Sequence, residues 1–219
     1  MSSTIEITAE DGHSFRAHAA GAPDQPRALV LIDSLPGNTS HARRLADRLA
    51  AFGYRVLAPN LVARIDPEAR LSYAPFELAR SKAIRDQLSG AWVLQDLAAT
   101  FAAIGHTHVG VVGFGWGGTA AWHAATRLNL FRAAACFYGG GIAEARQQTL
   151  NCPALLVFAE GDHVIPLADV EQIRRAQPTA EIAVYAGSHG FACEELELFN
   201  GDAWAEARDA MFGFFRRNL

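Results

Sequence analysis

The chain alternates short apolar runs with longer amphipathic ones, separated by glycine, proline and asparagine. Ile5-Glu6-Ile7-Thr8-Ala9 alternates with period two, Glu10-Asp11-Gly12 supplies a turn, and Ser14 to Ala19 can return as the second strand of a hairpin. Gly21 to Gln25 reads as a loop. Ala28 to Ile32 is continuously apolar, the pattern of a strand buried on both faces of a parallel sheet. Thr39 or Ser40 can cap a helix through Ala51, with Leu45, Leu49 and Phe52 on one stripe and Gly53 as its stop. Tyr54 to Ala58 is the next strand, closed by Pro59.

Leu61 to Leu88 is mixed in charge and ambiguous in period. Beyond it, Ala91 to Ile104 predicts a helix ended by Gly105, and Val109 to Phe114 a strand leading into a helix over Trp116 to Leu128. Phe131 to Tyr138, Ala154 to Phe158 and Glu181 to Tyr185 read as strands; Leu167 to Ala176 and Ala203 to Arg217 read as helices. Strands alternating with helices predict an α/β fold: a doubly wound, mostly parallel sheet with an antiparallel N-terminal hairpin and no large lid domain. With no internal repeat or linker in view, residues 1–219 are expected to form a single domain.

Composition narrows the function classes. A net charge of −4 in 219 residues leaves no basic footprint for nucleic acid. No apolar run approaches the roughly 20 residues of a membrane span, and the N-terminus lacks the pattern of a secretory signal. Three cysteines without metal-ligand spacing read as reduced, buried thiols, with Cys136 and Cys152 in or beside apolar strands. A cytoplasmic protein is expected, with a small-molecule partner, no nucleic acid, no membrane, no metal and no cofactor. A homodimer is left open.

The chemistry-bearing segment is Val111-Val112-Gly113-Phe114-Gly115-Trp116-Gly117-Gly118. It has the layout of a nucleophile elbow, an apolar strand turning sharply into a helix through Gly-x-Nuc-x-Gly, but its central residue is Gly115. Two further strand ends follow in nucleophile–acid–histidine order, carrying Asp162 and His189. Each has a plain reading, Asp162 as a turn residue and His189 as a loop histidine; the shared order favours the functional one. His13, His18, His41, His106 and His108 read as solvated loop or surface residues. His123 lies on the helix after the elbow, and His163 is expected to point away from Asp162. Trp92 and Trp122 read as packing residues.

Ala46-Asp47-Arg48-Leu49-Ala50, Gly53-Tyr54-Arg55-Val56-Leu57-Ala58-Pro59, the elbow, Gly161-Asp162-His163-Val164-Ile165-Pro166 and Gly187-Ser188-His189-Gly190-Phe191 together resemble the dienelactone hydrolases over nearly the whole chain. The resemblance implies an α/β-hydrolase fold and a Cys-His-Asp triad, with Asp162 as acid, His189 as base and Gly115 at the vacant cysteine position. The family's Glu that contacts the cysteine falls on Ser34. Its Arg for a substrate carboxylate, four residues after the histidine, falls on Cys193. An elbow of this kind implies an oxyanion hole from the Trp116 N–H and one from the Ser34–Gly37 loop, assigned to Leu35. Ser34, Tyr138, Phe191 and Cys193 are the expected substrate-binding residues.

These departures argue against simple dienelactone hydrolysis. The preferred expectation is non-covalent acid–base chemistry by a His189–Asp162 dyad on a small oxygenated organic molecule. It covers water-mediated hydrolysis of an ester or lactone, or isomerisation, cyclisation or elimination. A catalytically silent binding member and a hydrolase inactivated by Cys-to-Gly replacement are the alternatives.

Overall fold

A computed structural model describes residues 2–34, 36–69, 71–105 and 107–219. The chain separates into two compact units, Met1–Val109 and Gly110–Leu219.

In the first unit, β1 (Ser3–Thr8) and β2 (Ser14–Ala20) form the expected antiparallel hairpin, with Ile5 opposite Ala17 and Ile7 opposite Phe15. β3 (Arg27–Ile32) runs parallel to β4 (Tyr54–Pro59), and β2 pairs antiparallel with β4, giving the order β1-β2-β4-β3. Helix α1 (Ser40–Ala51) is capped by Thr39, whose Oγ1 accepts from the Ala42 N–H at 3.2 Å. This satisfies one of the first-turn N–H groups that a helix leaves without an internal partner.

The segment with ambiguous period holds a short 3₁₀ helix at Leu61–Arg64 and helix α2 (Pro75–Arg85), which starts on a proline. Val62, Leu71 and Ile84 bury one another with Ile65 and Ala69, a small satellite core that no simple period in the sequence marks. Helix α3 (Gly90–Ile104) is capped by Ser89 and ends at Gly105 with φ 70°; it packs on β1, β3 and β4. Arg64 joins Asp11 and Asp96, each at 2.7 Å, and the Asp96 side chain is 1% exposed.

The second unit carries four parallel strands in chain order: β5 (Val109–Phe114), β6 (Ala133–Phe137), β7 (Ala154–Ala159) and β8 (Glu181–Tyr185). β6 is shorter than expected because Phe131 and Arg132 precede it and Tyr138 ends it at φ 36°. Helices α4 (Trp116–Arg127), α5 (Leu167–Ala176) and α6 (Gly201–Asn218) follow β5, β7 and β8, and α6 packs on β6, β7 and β8.

Four side chains depart from their expected surroundings. His18 and His41 are buried rather than solvated. His18 lies on β2 under α1, where its Nε2 meets Asp47 Oδ1 at 3.1 Å. His41 packs edge-on to Tyr73. Trp92 is exposed, lying against the Arg64 guanidinium at 5.6 Å, whereas Trp122 is fully buried. Cys152 is only partly buried, in contrast to Cys136. His106 lies outside the described residues.

The glycines around the β5–α4 turn are required by backbone contact. A Cβ on Gly113 would lie 1.9 Å from the Gly117 carbonyl oxygen, and one on Gly118 would lie 2.4 Å from the Phe137 oxygen. Gly113→Ala should therefore lower the unfolding free energy by about 3 kcal/mol or more, because backbone rather than a flexible side chain must move. Gly90→Ala is the control. Its Cβ would meet nothing within 4 Å, so denaturant unfolding should show no loss and a gain of up to about 1 kcal/mol.

Candidate active site

The four parallel strands of the second unit end on one edge, and each delivers a candidate residue there. Gly115 follows β5, Tyr138 follows β6, Asp162 follows β7 and His189 follows β8. Gly115 has φ 56° and ψ −121°, outside the regions open to ordinary L-residues, and its N–H donates to the Phe137 oxygen at 3.0 Å. The Gly115 oxygen accepts from Gly118 and Thr119, starting α4 at once. Trp116 is thus the first helical residue, and its N–H belongs to the set that α4 leaves without an internal partner.

Asp162 and His189 meet directly. Asp162 Oδ2 lies 2.9 Å from His189 Nδ1 and Oδ1 lies 3.1 Å from it. The carboxylate also accepts from the Val164 N–H at 2.8 Å and the Ile165 N–H at 3.0 Å. The side chain of Asp162 is 0% exposed and that of His189 is 25% exposed. Burial alone would push the Asp162 carboxyl up. The hydrogen bonds from His189 and from the two backbone amides outweigh it and hold the group below the usual carboxylate range. An ionised carboxylate only accepts, so Nδ1 carries a proton and, in the neutral imidazole, Nε2 keeps its lone pair.

Aromatic rings fix the imidazole. The Tyr138 ring stands edge-on to His189 at 5.3 Å and to Phe191 at 5.6 Å, and His163 approaches His189 at 6.0 Å. His163 is thus a ring neighbour of the histidine. Phe191 is fully buried, and Tyr138 and Cys193 are nearly so. The structure brings together Asp162, His189, Tyr138 and Phe191, while Cys193 lies within the interior after the histidine loop.

The first unit holds Ser34, whose oxygen accepts from the Gly37 N–H at 3.0 Å. Leu35 lies outside the described residues. Beside Ser34 lies Asp33, not singled out by any motif, a buried carboxylate that accepts from Thr39 Oγ1 at 2.7 Å and from the Tyr73 hydroxyl at 3.0 Å. Burial pushes the Asp33 carboxyl up, against the opposing pull of His41, Thr39, Ser34 and Tyr73. Its only signal in the sequence was an acid closing an apolar strand. Among the described residues no group of three His, Cys, Asp or Glu side chains is placed to hold a metal ion, and no helix is long and apolar enough to cross a membrane.

Residues 15–219 match the model of the dienelactone hydrolase family. The chain belongs to that family. It is 31% identical to a Synechocystis sp. protein provisionally named a carboxymethylenebutenolidase, with 90% of this chain and 89% of the relative covered. It is 28% identical to the human carboxymethylenebutenolidase homolog, over 84% of this chain and 78% of that one. Among solved structures, a Klebsiella pneumoniae protein provisionally named a dienelactone hydrolase superposes with TM-score 0.82 at 23% identity, covering 99% of both chains. That likeness shows the α/β-hydrolase fold.

The depressed Asp162 pKa predicts a pH dependence. A carboxyl held low in the folded state stabilises above its unfolded pKa of about 3.9, and that stability is lost as pH falls through the lower folded value. Asp162→Asn should flatten this acid limb of the unfolding free energy. A limb as steep as that of the unsubstituted protein would show that the Asp162 contacts contribute nothing to it.

Proposed function

We propose that this dienelactone hydrolase family member works without a covalent intermediate, using His189 as general base and acid and Asp162 as its orienting partner. Gly115 stands where the family's cysteine is expected. The observation that carries the reading is the conjunction at one sheet edge: an elbow glycine at φ 56°, ψ −121° and an Asp162–His189 hydrogen bond of 2.9 Å. The elbow conformation strains a residue with a side chain by about 1–3 kcal/mol and leaves glycine unstrained. The turn therefore persists with no nucleophile, and the room a thiol would fill is free for water or a substrate atom.

In this reading a water attacks the carbonyl carbon of a small ester or lactone. Its proton passes to His189 Nε2 and the C–O bond of the tetrahedral intermediate then breaks. The same proton is returned to the departing alkoxide. Asp162 holds the Nδ1 tautomer and stabilises the imidazolium. The oxyanion is received by the Trp116 N–H at the start of α4. Tyr138 shapes the apolar side of the cleft, with Phe191 packed behind it. The same dyad serves an isomerisation, cyclisation or elimination, since each needs one proton moved next to an oxygenated centre. Residues 1–219 act as one hydrolase domain, a reading supported by the single family model that runs through both units.

Intact-protein mass spectrometry after mixing with a p-nitrophenyl ester should show no acyl adduct, whereas Gly115→Cys should gain both an adduct and esterase turnover, at a stability cost of about 1–3 kcal/mol. An acyl adduct on the unsubstituted chain would sink the non-covalent mechanism. His189→Ala should abolish turnover of the true substrate, and Asp162→Asn should reduce it by a factor of about 10²–10⁴. Unchanged turnover and ligand affinity in His189→Ala would instead mark the cleft as a passive template.

A further inference from the structure

The first unit contains a cavity of about 460 Å³ that the dyad chemistry does not use. Its size falls within the range of about 300–1,000 Å³ typical of small-molecule sites. The start of α1 forms one side, Arg16 and His18 of β2 another, and Asn60 and Glu68 complete the polar wall. The Arg16 side chain makes no hydrogen bond or ion pair among the described residues, and neither does the Asn60 side-chain amide, while the Asn60 N–H donates to the Arg16 backbone oxygen at 2.9 Å. Arg43 uses only Nη1, donating to the Asn38 oxygen at 2.9 Å, so the rest of its fork remains available. His18 is already engaged with Asp47.

The electrostatics favour a negative guest. Two guanidinium groups face one carboxylate, Glu68, across the cavity. The first turn of α1 carries no acidic residue of its own, and the positive end of that 12-residue helix meets the cavity, with the buried Asp33 bonded to its cap Thr39 on the far side. This occurs on a chain whose net charge is −4, where a positive concavity is the exception. Guanidinium forks suit planar or tetrahedral oxyanions because they donate two parallel N–H groups.

We propose that this cavity binds a small organic anion, with its carboxylate or phosphate held by Arg16 and Arg43 at the N-terminus of α1. The proposal goes beyond the hydrolase reading and does not rest on it. Arg16 is exposed on a paired strand and holds no other group, so its replacement leaves the fold intact. Arg43 also braces the Asn38 loop, and the single Arg16 variant is therefore decisive.

The test is titration of the full chain with inorganic phosphate and, separately, with benzoate. Chloride is adjusted to hold ionic strength constant, and calorimetry and arginine Nε–H NMR signals are the readouts. At least one anion should saturate with a Kd of about 1 mM or tighter. Phosphate preference identifies a phosphoryl ligand and benzoate preference a carboxylate. Arg16→Gln should weaken binding about tenfold, Glu68→Gln should tighten it about threefold, and His189→Ala should leave it unchanged. Three results would each overturn the proposal: no saturation by either anion, an equal response to chloride, or undiminished affinity in Arg16→Gln. So would a loss of affinity in His189→Ala, since it would place the anion at the dyad instead.

Discussion

The candidate site depends on how closely two backbones approach at the β5–α4 turn. With 1.9 Å between a hypothetical Gly113 Cβ and the Gly117 oxygen, and 2.4 Å between one on Gly118 and the Phe137 oxygen, no side chain fits between strand and helix. That contact forces the sharp turn, and the turn places residue 115 at φ 56° and ψ −121°. The close contacts join residues 113, 117, 118 and 137, and Gly115 adopts the resulting positive φ without the penalty a side chain would bring.

Two carboxylates at strand ends show how the same burial leads to opposite outcomes. Asp162 is enclosed but receives two backbone N–H groups and the His189 imidazole, and its acidity rises. Asp33 receives hydroxyls from Thr39 and Tyr73, and desolvation prevails, so its acidity falls. Desolvation decides at Asp33 even though the Ser34 N–H and His41 also favour its ionised form, whereas at Asp162 the bonded imidazole and two amides outweigh it. Asp162 is therefore suited to stabilise a cation beside it, whereas Asp33 is suited to tie the β3 loop to the cap of α1.

Local signals explain which features could be read in advance. Thr39 as a cap, and Gly53 and Gly105 as stops, act within one turn of chain, and the helices they bound lie within a residue or two of expectation. The order of Gly115, Asp162 and His189 was legible for the same reason, since each closes an apolar strand. The segment from Leu61 to Leu88 was not. Its helix α2 carries a weak apolar stripe, and its packing is supplied by Val62 and Leu71 from other turns of the chain. The burial of His18 and His41 was equally hidden, because the neighbours that cover them, Asp47 and Tyr73, lie about 30 residues away.

By itself the sequence determined the alternation of strands and helices and the placement of Gly115, Asp162 and His189 beyond successive strands, since these follow from hydrophobic period and turn residues, while the family was legible through the resemblance of several separated motifs. The tertiary structure alone decided which polar groups are buried, which of them find partners, and how each carboxylate is tuned. It also gathered Arg16, Arg43 and Asn60 around one cavity. The physical reason is range: turns and periods are set by neighbours in the chain, while desolvation and electrostatic pairing are set by neighbours in space.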